Sequence, residues 1–191
     1  GAAILGMETD SRLQEYEDNL DRHYYKEAIN ELKASGLGHS LLLGYLRKEI
    51  DHRNIVNLLR SLRQNLPVEQ RMDAMLDGGG VLKGGLLKSA AEADSQDALV
   101  EVLRRSNMDT ADLEEKLEES KEHGGFDPVV TLLADERRSN MRRMSHLNPL
   151  SAFPVIYYIE SKVIEVQNLR LLVRGKAVGL PEDVIEAHMT F

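Results

Sequence analysis

The sequence predicts an all-α protein built from two similar helical modules, and three observations carry that prediction. Apolar residues recur at steps of three and four along most of the chain. No stretch shows the strict apolar–polar alternation of a half-buried strand. Finally, one phrase occurs twice. At a single offset of 114 residues, Lys48/Lys162, Ile50/Ile164, Asn54/Asn168, Leu58/Leu172, Arg60/Arg174, Leu66/Leu180, Pro67/Pro181 and Met75/Met189 coincide, which is 8 identities in 28 positions without a gap. Asp51/Glu165, Ile55/Leu169, Leu59/Val173 and Glu69/Asp183 add conservative pairs. Self-similarity of this kind marks a duplicated supersecondary unit.

The elements follow in order. Asp10 or Ser11 is a good N-cap for a first helix, whose Leu13, Tyr16, Leu20, Tyr24, Tyr25, Ile29 and Leu32 keep helical spacing until Ser35-Gly36-Leu37-Gly38 breaks it. A second helix is expected over 39–63, with the stripe Leu42, Leu46, Ile50, Asn54, Leu58, Leu62. Pro67 opens a short helix, where a first-turn proline is tolerated, and Asp77-Gly78-Gly79-Gly80 ends it. Leu82, Leu86 and Leu87 suggest another helix after the glycines, which read as a flexible turn, and Asp97–Arg105 a further short one. Asn107-Met108-Asp109-Thr110 is the predicted module boundary, giving modules 1–109 and 110–191.

The second module opens with Leu113 and Leu117 on a strongly charged helix, interrupted by Gly124-Gly125 and Pro128. Residues 129–144 read as a helix with Arg137, Arg138, Arg142 and Arg143 near its C-terminal end, the favourable end for cations. After Asn148-Pro149-Leu150, Pro154 starts the longest helix, expected to reach about Arg174, with Gly175 and Gly179 bracketing its end. It carries Ile156, Ile159, Val163, Val166, Leu169 and Val173, and its Tyr157-Tyr158 pair is expected to pack on a neighbouring helix. Pro181 begins the last helix. Eight to ten helices result.

Composition narrows the function. Hydrophobic residues make up 42%, enough for a core, while aromatics make up only 5%, so the core must be aliphatic. Without cysteine there is no disulfide, thiolate metal site or thiol nucleophile. A formal charge of −8 disfavours nucleic acid as a partner and favours basic protein surfaces. No apolar run approaches the ~20 residues of a membrane span, and no signal peptide is visible. Gly1-Ala2-Ala3-Ile4-Leu5-Gly6 reads as the start of a fragment.

The candidate functional residues sit on the repeated phrase. Asn54 and Asn168 each interrupt an apolar seam at the same place. A buried amide left unpaired costs a few kcal/mol, roughly 2–7 depending on the reference state, so each must find a backbone carbonyl or a charged group. Asp51/Glu165 and Arg60/Arg174 are the candidates for that polar network, with Arg142 and Arg143 as a further candidate interface. These positions read either as fixing helix register or as lining a binding surface. Recognised reactive patterns are not found. Gly78-Gly79-Gly80-Val81-Leu82-Lys83-Gly84-Gly85 lacks the Gly-Lys-Ser/Thr ending of a phosphate loop. The histidines make no HExxH pair, and His23, His39 and His52 read as surface or helix-end residues. No serine sits in a Gly-x-Ser-x-Gly elbow. No catalytic residue, metal or cofactor is expected.

Several segments resemble a known family. Leu20-Asp21-Arg22-His23-Tyr24-Tyr25, Tyr45 through Asp51 and on to Asn54-Ile55 and Leu59-Arg60 are similar to the repeat unit of the C-type central-stalk proteins of A/V-type (archaeal-type) rotary ATP synthases, relatives of the d-type protein of the vacuolar proton pump. Asn148-Pro149-Leu150-Ser151-Ala152-Phe153-Pro154-Val155-Ile156, Glu165-Val166-Gln167-Asn168-Leu169-Arg170, Arg174-Gly175-Lys176 and Gly179-Leu180-Pro181 resemble that family's closing segment. The resemblance implies a funnel of three helical modules, of which this chain has room for the last two. It implies a non-catalytic seat on the cytoplasmic face of the membrane, peripheral to it, between the central rotor shaft and the proteolipid ring. There the protein would couple proton or sodium transport to ATP synthesis or hydrolysis. A generic helical-repeat adaptor that binds a peptide or helix is the alternative. One departure is internal: Leu20 to Asn54 spans 34 residues, and the expected counterpart, Leu117 to Asn168, spans 51.

Overall fold

The computed structural model describes residues 2–33, 37–106, 108, 110–123 and 125–189. Among them nine helices and no strands occur: α1 Ala2–Lys33, α2 Leu37–Arg63, α3 Val68–Asp73, α4 Gly85–Glu92, α5 Gln96–Arg105, α6 Ala111–His123, α7 Asp127–Leu147, α8 Phe153–Ala177 and α9 Glu182–Ala187. The breaks expected at Ser35-Gly36, Asn107, Asp109 and Gly124 fall on residues outside the described ones.

Several boundaries differ from the sequence reading: α2 begins at Leu37 and not at His39, and α7 covers Asp127–Leu147 and not 129–144. Helix α1 begins at Ala2, not at Asp10 or Ser11. Ala, Leu and Met are strong helix formers, and a cap residue inside a helix costs only tenths of a kcal/mol, about 0.5. At the other end, Gly175 lies inside α8 and is buried. A Cβ there would stand 2.7 Å from Ile185 Cδ1 and Cγ1, so the glycine lets α9 close onto α8.

The chain forms two compact units, residues 1–137 and 138–191, divided within α7. In the first, Ile55, Leu58, Leu59 and Leu62 of α2 build the main core with Met75, Leu82, Leu87 and Ala90, joined by Leu99 and Leu103 of α5 and by Leu113, Leu117, Val129 and Leu133. A second cluster joins Tyr25 and Ile29 of α1 to Leu46, Ile50 and Leu76. The aliphatic, helix-packed core follows from the scarcity of aromatics. In the second unit Met141, Phe153 and Ile185 are buried. Helix α8 carries apolar residues all round its circumference, and Ile159, Val163, Val166, Leu169 and Val173 are all at least 45% exposed. Tyr158, expected to be packed, is also exposed.

The duplication is visible in the backbone. Helices α1 and α7, α2 and α8, and α3 and α9 end 114 residues apart, at Lys33/Leu147, Arg63/Ala177 and Asp73/Ala187. After α2, Asn65 takes φ 53° and after α8, Gly179 takes φ 74°. Both turns close alike: the Leu66 and Leu180 N–H groups donate to Ser61 O and Gly175 O at 3.0 and 2.9 Å, and the Asn65 and Gly179 N–H groups donate to Leu62 O and Lys176 O, both at 3.1 Å. This is the left-handed termination that favours glycine or asparagine. Pro67 and Pro181 then stand at φ −60°, ψ 153° and φ −58°, ψ 150° before six-residue helices. The ungapped register therefore sets α7 against α1, placing Ala134, not Leu117, opposite Leu20. The length discrepancy read from the sequence disappears.

Candidate functional site

In the first unit the repeated phrase is sealed. Asn54 is fully buried because the helical step from Ile50 to Leu58 puts it on the core face. Its Nδ2 donates to Leu76 O at 2.9 Å, and its Oδ1 accepts the Leu76 N–H at 2.8 Å. The amide thus holds one residue of the segment after α3 by both its main-chain groups, so that of the two kinds of partner the sequence left open it is a backbone carbonyl that meets the amide. One turn earlier the buried Asp51 carboxylate accepts three successive N–H groups, from Gly80 and Val81 at Oδ2 (3.0 and 2.9 Å) and from Leu82 at Oδ1 (2.9 Å). Three converging amides compensate a buried charge as an anion nest does. The glycines exist for clearance, not flexibility. A Cβ on Gly79 would lie 2.2 Å from Asp51 Oδ1, one on Gly78 would lie 2.3 Å from Ile29 Cδ1, and Gly78 has φ 101°.

Arg60 stands apart from this network. It is exposed and lines a cleft of about 390 Å³ with Glu49, His52, Arg53 and Arg137. On the same side of α2, the Tyr25 hydroxyl donates to Glu49 Oε1 at 2.9 Å, and Arg53 lies 5.2 Å over the Tyr25 ring and pairs with Asp21. Burial, helped by the Glu49 charge, pushes the Tyr25 phenol well above its usual range. The expectation that His52 is a surface residue is corrected: its side chain is 8% exposed, with Nε2 3.5 Å from Glu136 Oε2 and Nδ1 unpaired among the described residues. Burial lowers its pKa, while Glu136 acts in the opposite sense. The signal missed is positional, since His52 directly follows a buried seam residue and lies on the face that α7 covers. His23 is exposed as expected, and the His39 side chain lies outside the described part.

In the second unit the same phrase lies open. Glu165, Asn168, Leu169 and Leu172 of α8 line a groove of about 510 Å³ together with Arg142 of α7 and Met189. Glu165 is exposed and pairs with Lys162 at 2.5 Å. Arg143 and Arg174 are exposed and do not line the groove. Of the predicted residues, the structure thus brings together Asp51 and Asn54 in one buried site, and Arg142, Glu165 and Asn168 in one open groove. Among the described residues no cluster of three or more His, Asp or Glu side chains is arranged to hold a metal, and no helix is long and apolar enough to cross a membrane.

The sequence is similar to the C-type proteins of archaeal A-type ATP synthases. That of Archaeoglobus fulgidus is 31% identical over 185 residues, covering 97% of this chain and 51% of the relative. That of Thermoplasma acidophilum is 29% identical over 170 residues (88% and 46%), and that of Haloferax volcanii 31% over 176 (91% and 48%). The chain spans about half the length of these relatives. No solved structure matches significantly. Residues 2–188 match the family described as ATP synthase (C/AC39) subunit, and with nearly the whole chain covered and the all-α fold in place, the protein belongs to that family.

Proposed function

We propose that this chain is a non-catalytic coupling part of the central stalk of an A/V-type ATP synthase, seated peripherally on the cytoplasmic face between the rotor shaft subunits and the proteolipid ring. The family match over residues 2–188 carries the reading. Its modules, expected at 1–109 and 110–191 as the second and third of three, would meet after α6, because α7 answers to α1 and Leu113 and Leu117 of α6 lie in the first unit's core. The matching turns at Asn65 and Gly179 support a duplicated unit. A part that transmits torque has to resist deformation under load. The close-packed aliphatic core around α2 suits that demand, since protein interiors are packed as densely as organic crystals. Asp51 and Asn54 would serve by locking the segment 76–82 to α2, and Arg60, Arg142, Arg143, Glu165, Asn168 and Arg174 by meeting the neighbouring subunits.

The test replaces the matching half of the Archaeoglobus fulgidus relative by this chain and reconstitutes the complex with its shaft and proteolipid ring. The expected result is assembly, with ATP hydrolysis still driving ion movement. Failure to bind either shaft or ring, with the chimera folded, would count against the reading.

A further inference from the structure

The repeat separates what the module's packing uses on α2 from what it does not. The seam residues Ile50, Asn54 and Leu58 recur at 114 residues as Ile164, Asn168 and Leu172. The polar side of the same helix does not recur: Glu49, His52, Arg53 and Asn57 answer to Val163, Val166, Gln167 and Leu171. Those four polar side chains line the cleft of about 390 Å³, together with residues of α1 and α7. The cleft lies wholly within the first unit. A helical module of this kind forms without these side chains, so their presence in one copy has a local cause.

Charge within the cleft is uneven. Four guanidinium groups line it, Arg22, Arg53, Arg60 and Arg137, against two carboxylates, Asp21 and Glu49. Both carboxylates are engaged. Asp21 pairs with Arg53, and Glu49 accepts from the Tyr25 hydroxyl and stands 3.8 Å from Arg53 and 3.5 Å from Arg137. Arg22 and Arg60 are left without a carboxylate among the described residues. Arg22 donates to two neutral acceptors, Asn19 Oδ1 at 3.0 Å and the Asp73 carbonyl. The exposed Arg60 guanidinium makes no hydrogen bond or ion pair among the described residues. Asn57 donates to Ala74 O at 3.2 Å, and Arg60 follows one turn later on the same helix face. Both unneutralised cations therefore belong to the end of the cleft beside Ala74. Arg137 Nε is buried and unpaired as well, so donors exceed acceptors. In a chain of formal charge −8, a recess of this kind focuses positive potential on a small anion.

We propose that this cleft binds a phosphate monoester, its phosphate held between Arg22 and Arg60 and its organic part lying along Val56 and Ala134. A phosphate monoester carries up to two negative charges near neutral pH, which matches the two unneutralised arginines, and guanidinium forks fit its oxygens. The cleft is larger than one phosphate and falls within the range of small-ligand sites, about 300–1,000 Å³. The assignment needs no neighbouring subunit, so it stands or fails separately from the coupling role.

The test is calorimetric titration of the whole chain with glycerol 3-phosphate at constant ionic strength. The expected result is saturable binding with Kd of about 1 mM or tighter. Arg60→Gln and Arg22→Gln should each weaken it at least about tenfold, the scale of a lost charge-assisted hydrogen bond. Both side chains are exposed, and circular dichroism would confirm that the variants fold. Arg174→Gln, at the exposed counterpart of Arg60 outside the cleft, should leave binding unchanged. Vesicles containing phosphatidic acid present the same group on a membrane. Vesicle binding that Arg60→Gln abolishes would make the ligand a lipid headgroup, while binding of glycerol 3-phosphate alone would make it a free solute. No saturation by either probe, or equal binding by Arg60→Gln and the unaltered chain, would overturn the assignment. So would a glutamate-rich peptide that binds through Arg60 more tightly than either, which would give the cleft to an acidic protein segment.

Discussion

At the scale of single residues, Asn54 has the largest consequence. Replacing it with leucine leaves the Leu76 N–H and C=O buried with no partner, and each such group costs about 1–3 kcal/mol. Asn54→Leu should therefore lower unfolding stability by roughly 3 kcal/mol, measured by urea denaturation. Asn168→Leu should cost less than half of that, about 1 kcal/mol, because the second seam is only partly closed and water can replace lost bonds. Equal losses at the two sites would contradict the open groove.

His52 makes stability depend on pH. Burial disfavours its protonated form, so the folded chain takes up that proton below the ordinary value of 6.5. In that window the unfolded chain holds more protons, and stability rises with pH. The contribution is present above pH 6.5 and is lost progressively as pH falls from there through the lowered value of the folded chain. His52→Gln should flatten the decline in stability as pH falls below 6.5, before ordinary carboxylates titrate. An unchanged acid limb would show that the imidazole is not the group responsible.

At the scale of elements, the two helix terminations use different residues in one geometry. Asparagine tolerates the left-handed region better than most residues but less well than glycine. Asn65→Gly should be neutral or stabilising by a few tenths of a kcal/mol, while Gly179→Ala should cost about 1 kcal/mol. Thermal unfolding of both variants checks the pair, and the reverse order would mean the turns are not equivalent. Gly175→Val forces two methyl groups into Ile185, and overpacking of this kind costs about 1–3 kcal/mol. Circular dichroism melting should show that loss, and Ile185→Ala in the same chain should recover part of it.

At the scale of the whole molecule, the distribution of burial predicts uneven stability. The seam of α2 lies in a continuous core, whereas one side after another of α8 meets solvent. Local opening is cheapest where few apolar contacts are lost. Amides over 155–173 should exchange at least about tenfold faster than those over 46–62 in native-state hydrogen exchange. Uniform protection across both helices would show that α8 is covered in solution, either by a second copy or by residues of this chain.

The sequence by itself determined the helical class, the phrase repeated at 114 residues and the family, because all three rest on local order: apolar periodicity, turn residues and motif succession. It also marked Asn54 as a residue needing a polar partner, either a backbone carbonyl or a charged group. Only the tertiary structure decided that Asp51 gathers the three amides of the glycine turn, that His52 is buried, that α7 and not α6 answers to α1, and that one copy of the seam is closed while the other is open. Each of those depends on what another segment brings to the surface of a helix. A helix's own sequence specifies which face is apolar, but the neighbour that covers that face is specified elsewhere in the chain, or in another one.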